Sequence, residues 1–197
     1  MKRVLAVFSV FLFLLSSRSV HAGVPMDTVQ ANVDKVLEVL RDPKLKAGSA
    51  KEAKKERLHP VYDGMFDQVE LSRRALAQNW NKFNPAQRKE FVQLFRQMLE
   101  KTYIDKILAY ADEKIVFDRE VRLSETQAEI QTTIITSSNK IPVFYRVILK
   151  GEGWKVYDVV IENVSLVSNY RTQFNDILAK NTPEQMLEIL RKKVKGQ

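Results

Sequence analysis

Few side chains in this sequence could do covalent or acid–base chemistry, and their spacing decides which. Cysteine is absent and histidine occurs twice, as His21 and His59. With so few soft ligands, no metal site is expected. His59 stands beside Pro60, and no nucleophile motif such as G-x-S-x-G occurs, so an acyl-transfer triad has no visible nucleophile. One carboxylate pair has suggestive spacing. Asp158 and Glu162 are an even number of residues apart and on a strand would share a face, as a general acid and base could. The competing reading is structural: Asp158 lies between Tyr157 and Val159 in an apolar run, where a buried carboxylate is held by backbone donors or arginine. Asp63 and Asp67 read as helix-start or salt-bridge groups.

The element that would carry Asp158 is defined by a change of period. From Trp154 to Ile161 the residues are mostly β-branched or aromatic, as a strand requires. From Ser165 on, Leu166, Val167, Tyr170, Phe174, Ile177 and Leu178 recur at helical spacing, with Ser165 placed to cap the first turn. Three further strands are predicted upstream, over 114–122, 128–136 and 142–150, and their short spacers permit hairpins while forbidding parallel crossovers. Alternation puts Ile115, Phe117 and Val121, then Ala128, Ile130, Thr132 and Ile134, then Val143, Tyr145, Val147 and Leu149 on one dry face. Asp118, Glu120, Glu129, Gln131, Arg146 and Lys150 fall on the other.

Helices account for the rest. Asp27 is placed to cap an amphipathic helix carrying Val29, Val33, Val36, Leu37 and Leu40. Pro60 and Gly64 should interrupt the next helical stretch, and 71–80 reads as a short helix. Asn84-Pro85-Ala86-Gln87 is a capping box with proline at the first helical position. The helix it opens should run to about Ala111, roughly 40 Å, with Phe91, Phe95, Leu99, Tyr103 and Ile107 in one row and its second half buried on more than one side. Thr182-Pro-Glu-Gln185 opens a last helix in the same way. The predicted fold is α+β: a four-stranded antiparallel curved sheet with helices packed on one face, enclosing an apolar space. Periodicity alone leaves open whether that space is a filled core or a ligand cavity.

The first 22 residues are set apart from this domain. Met1-Lys2-Arg3, an apolar run from Val4 to Leu15 and Val20-His21-Ala22 have the layout of a secretory signal peptide, with cleavage expected after Ala22. Residues 23–197 then form a single domain. Loss of Lys2, Arg3 and Arg18 takes the formal charge from +8 to +5, without the basic tract a nucleic-acid partner would call for. Export without cysteine excludes a disulfide framework and fits a bacterial periplasm.

Three spaced markers resemble one known family. Tyr157-Asp158 with Glu162-Asn-Val-Ser165 and Tyr170-Arg171…Phe174 form the first. Ala75-Leu76…Trp80 with Asn84-Pro-Ala-Gln-Arg88 and Phe91…Phe95 form the second, and Pro60 with Phe66-Asp67 the third. Together they are similar to the MlaC family, also called the toluene-tolerance family. One departure is Ala77, where that family commonly has glycine. The resemblance implies a soluble, monomeric periplasmic carrier without catalytic residues or cofactor, holding a phospholipid by its acyl chains. Its partners would be an inner-membrane ABC transporter complex and an outer-membrane lipoprotein complex, in a system for outer-membrane lipid asymmetry.

Joined to the apolar faces above, this makes Tyr103, Ile107, Phe117, Ile130, Ile134, Val143, Tyr145, Val147, Leu149, Val156, Val160, Val164, Leu166 and Tyr170 the expected lipid-binding lining. Two alternatives compete: a solid-cored adaptor of a membrane transporter with no ligand of its own, and a hydrolase using Asp158 and Glu162.

Overall fold

A computed structural model describes residues 24–45, 50–109, 113–151 and 153–196. The expected signal peptide with its cleavage point, and the expected helix end at Ala111, lie outside the described residues. Among the described residues the chain runs α1 (Pro25–Arg41), α2 (Ala50–Met65), α3 (Gln68–Leu76), α4 (Pro85–Ala109), β1 (Lys114–Ser124), β2 (Gln127–Ile135), β3 (Lys140–Lys150), β4 (Gly153–Ile161), β5 (Val164–Ser165), α5 (Leu166–Leu178) and α6 (Pro183–Lys195). The α+β architecture is as expected, with one strand more. The antiparallel sheet keeps chain order from β1 to β5, because each connection is a hairpin.

The fifth strand is two residues long and changes the reading of Val164. Glu162 and Asn163 form a two-residue turn in which both have positive φ, 49° and 67°, and Ile161 pairs with Val164 across it. That is the backbone a type I′ hairpin needs. Val164 therefore sits on an edge strand, 58% exposed.

Helix starts follow their caps. The Asn84 and Gln87 side chains each accept the other's backbone N–H, at 2.9 and 3.1 Å, and Thr182 with Gln185 repeats the box at α6. Asp67 caps α3 by accepting the Glu70 N–H at 2.9 Å. Three expectations need correction. α1 begins at Pro25, so Asp27 lies inside its first turn, where a carboxylate complements the helix dipole. α2 passes through Pro60 and Gly64 and ends at Met65. The short helix expected over 71–80 begins earlier, at Gln68, and gives way at Ala77 to a 3-10 turn, Ala77–Lys82.

Ala77 closes α3 at φ 49°, ψ −123°, its N–H donating to the Arg73 carbonyl. That backbone region is glycine's, because a Cβ crowds the following peptide there. The structure thus supplies a reason for glycine at this position.

Two larger cores carry the fold, and a smaller cluster of Val39, Leu40 and Leu58 packs against Ile104 and Leu108 of α4. α3 to α6 form a bundle around Phe83, Phe91, Phe95, Tyr170 and Phe174, whose rings meet at centroid distances of 5.1 to 5.8 Å, mostly edge to face. The second core is the sheet's inner face, on which α1 lays Val29 and Val33, with Met65 at the end of α2. Phe66 pairs with Val156 of β4 in a backbone bridge, and Asp67 N–H donates to the Val156 carbonyl at 2.9 Å, tying α2 to the sheet. Phe66 and Leu166 pack against both cores.

α4 loses cover along its length, contrary to the expectation for its second half. Phe91, Leu94, Phe95, Met98 and Leu99 are buried; Tyr103, Ile104 and Leu108 are half-buried; Ile107 is 39% exposed. The bundle helices cover the first half, while the second is met only in part, where Val39, Leu40 and Leu58 of α1 and α2 pack on Ile104 and Leu108.

Candidate functional site

Register fixes which side chains share the sheet's inner face. Reading across the strands, its rows are Ile115, Ile134 and Ile141; then Phe117, Thr132, Val143 and Ile161; then Ile130, Tyr145 and Val159; then Ala128, Val147 and Val156; and last Leu149 and Trp154. Two irregularities shape this wall. Between Phe117 and Arg119 the β1 register shifts, so Glu120 and Arg122 come to the inner side opposite Ile130 and Ala128, and Val121 moves to the outer side. In β4, Asp158 pairs with Arg146 but Val156 with Val147, which leaves Tyr157 as the extra residue of a bulge.

The β4 bulge displaces part of the expected lining. Strict alternation continues Val156 with Asp158 and Val160; the bulge instead brings Val159 and Ile161 inward and turns Val160 outward, opposite Phe144. Val160 is buried, but on the other side of the sheet, and Val164 lies exposed on the edge. The remaining sheet residues, Phe117, Ile130, Ile134, Val143, Tyr145, Val147, Leu149 and Val156, all stand on the inner wall. Leu166 joins the two cores; Tyr170 and Tyr103 belong to the bundle side, the Tyr103 phenol held above its usual pKa by burial and by the neighbouring Tyr170 hydroxyl. Ile107 is exposed on the less covered half of α4.

Burial along the wall is graded. Under α1, Ala128, Val147 and Val156 are at most 1% exposed. Toward the other end Ile115, Phe117, Ile134, Ile141, Tyr145 and Ile161 are only half-buried, although all are large and apolar or aromatic. Tyr145 is the most informative. Protein surrounds it closely enough that burial alone pushes its phenol up to about 12, yet its surface is not sealed and its hydroxyl has no hydrogen-bond partner among the described residues. Tyr145 is thus ringed by protein without being closed off.

Polar groups on the inner side serve α1. Glu120 accepts the Met26 N–H at 3.0 Å, satisfying one free donor of the helix N-terminus, and Arg122 pairs with Glu120 at 2.7 Å while lying over the Trp154 ring. This capping carboxylate was missed because alternation alone places Glu120 outside.

Asp158 is spoken for on the outer side. Its carboxylate accepts the Ser165 hydroxyl at 2.7 Å, the Val167 N–H at 3.0 Å and an Arg146 N–H at 3.2 Å, and the side chain is 3% exposed. It therefore holds the start of α5 against β4. Glu162 is exposed in the turn, and Asp158's own partners hold it as a structural group rather than half of an acid–base pair. Glu70 is a second buried carboxylate: hydrogen bonds from Arg73 and Arg74 hold its carboxyl down at about 2, and Arg74 also stacks over Tyr157. Asp63 pairs with Arg96 and His59 with Glu100, tying α2 to α4. Two surface clefts, of about 410 and 360 Å³, are walled largely by charged side chains, and none of the expected lining residues borders either.

Fold and site together define a class: an α+β protein in which helices cover an unclosed antiparallel sheet, with an apolar inner wall and carboxylates committed to structural pairs. The MlaC family model, described as MlaC protein, matches residues 30–192, and the chain belongs to that family. It is 24% identical over 165 residues to the toluene tolerance protein ttg2D of Pseudomonas putida, covering 83% of this chain and 77% of that one. It is 26% identical over 112 residues to the intermembrane phospholipid transport system binding protein MlaC of Haemophilus influenzae, covering 54% of this chain and 52% of that protein. Among solved structures, a phospholipid-binding protein from Ralstonia solanacearum in complex with a phospholipid superposes with a TM-score of 0.80 at 21% identity, over 88% of this chain and 98% of that one.

Proposed function

We propose that this protein is a periplasmic phospholipid carrier that takes up acyl chains between the sheet's inner wall and the helices facing it. One observation carries the reading: the large side chains at the far end of that wall stay half-buried, where a filled core would bury them fully. The lining is the expected set without Val160, Val164 and Ile107, and with Val159, Ile161, Ile141 and Ile115 added. Entry of a lipid parts the two walls, which touch at Phe66 and Leu166.

Energetics restrict how such a carrier works. Taking about 30 methylenes out of water is worth roughly 24 kcal/mol, near the ceiling of noncovalent affinity. Escape of the lipid into water is then negligible, whereas transfer from a bilayer or an apolar partner site is close to neutral. The carrier loads and unloads by docking, and its membership of the MlaC family supports partners at both membranes: an outer-membrane lipoprotein complex and an inner-membrane ABC transporter complex. No catalytic step is needed. Delipidated protein incubated with vesicles containing a radiolabelled phospholipid, then separated from them by size exclusion, should carry label; protein fractions free of label would refute the reading.

A further inference from the structure

Of the polar groups on the inner wall, Glu120 and Arg122 pair with each other and serve α1, and the indole N–H of Trp154, although without a partner among the described residues, is sealed in beside Arg122; the Tyr145 hydroxyl is unpartnered among those residues and open to the space beside it. The wall's other hydroxyl, that of Thr132, donates to the Val143 carbonyl at 2.6 Å. The Tyr145 hydroxyl has no such acceptor among the described residues, and it stands opposite Ile130 and Val159, which offer none. A phenol O–H kept in an apolar space without an acceptor is unfavourable, and a hydrogen bond from a ligand removes that cost. The oxygen is not sealed from the space around it, so a ligand can reach it.

The surroundings select the acceptor. The cation that the β1 register brings to this wall, Arg122, is committed to Glu120 and the Trp154 ring, so a phosphate oxygen at Tyr145 would lack the counter-charge that anion sites supply. A neutral carbonyl suits an uncharged donor in an apolar setting. We infer that Tyr145 is a specificity-determining residue of the lipid compartment, donating its hydroxyl to an acyl-ester carbonyl of the bound lipid and so favouring ester-linked over ether-linked chains. The inference rests on the carrier reading above.

The test offers delipidated protein mixed vesicles containing equal amounts of a diester and a diether phosphatidylcholine of the same chain length, and reads the ratio taken up by mass spectrometry. One neutral hydrogen bond predicts roughly three- to tenfold enrichment of the diester by the wild type. Tyr145→Phe should reduce the ratio to near one. Equal uptake by the wild type, or an unchanged ratio in Tyr145→Phe, would overturn the inference while leaving the carrier intact. Uptake of neither lipid would overturn the carrier reading and this inference with it. Should Tyr145→Phe fail to fold, the wild-type ratio decides, together with the infrared ester-carbonyl band of its bound lipid, which should lie lower than for the same lipid in dry alkane; a band at the alkane position would count against the inference.

Discussion

Replacing Asp158 with alanine should destabilise the protein without touching any reaction, because the carboxylate is an anchor for α5. The Ser165 hydroxyl and the Val167 N–H both lose a charged acceptor, and such bonds are worth roughly 1.5–3 kcal/mol each. Arg146 is 36% exposed and keeps Glu129, so its share is under about 1 kcal/mol after solvent screening. The Val167 N–H is left buried without its partner, which brings the loss to about 3–5 kcal/mol. With an m-value of about 2 kcal/mol/M, the urea midpoint should fall by roughly 2 M. Asp158→Asn, which keeps an acceptor for Val167, should lose about half as much. Equilibrium urea unfolding followed by tryptophan fluorescence measures this. A loss under about 1 kcal/mol for Asp158→Ala, or a wild-type hydrolytic activity abolished by Asp158→Asn at unchanged stability, would refute the structural role.

Three further outcomes follow from the geometry. Val159→Trp should block lipid uptake while costing no more than about 1–3 kcal/mol of stability, whereas Val164→Trp, on the exposed edge, should leave uptake intact and stability within about 0.5 kcal/mol; equal effects on uptake would contradict the inward place of Val159 and the outward place of Val164. Ala77→Gly should stabilise by about 1 kcal/mol, since relief of roughly 1–3 kcal/mol of backbone strain exceeds the added unfolded-state entropy, and calorimetry should show a melting point about 2–4 °C higher. Glu70 is held at about 2 in the folded state against an ordinary 4.5, chiefly by the Arg73 hydrogen bond, so its contribution is complete above about pH 5 and fades as pH falls toward 2. Arg73 is half-exposed, which limits the amount to about 1–2 kcal/mol; Glu70→Gln should flatten the acid limb of urea midpoints measured from pH 6 to 3.

Much of the fold was legible because it obeys local rules. The capping boxes at Asn84 and Thr182 need only side chains three residues apart, and hairpin spacers dictate chain-order pairing. Departures arose where tertiary structure overrides a period. The bulge at Tyr157 shifts every later residue of β4 by one, which no alternation count reveals, although Asp158 within an apolar run hinted that its side chain had a separate destination. The shift near Asp118 did the same to Glu120 and Val121. Pro60 stays inside α2 because helix-breaking is a propensity that packing can override. The thinning cover of α4 beyond Leu99 depends on where neighbouring helices end, which its own apolar row cannot report.

On the carrier reading, the inner wall holds lipid in the cell. Native mass spectrometry of the protein purified from its host without detergent, with organic extraction of the same sample, tests it directly. A mass increment equal to a phospholipid recovered in the extract is the predicted result; bare protein mass with no extractable lipid would contradict it.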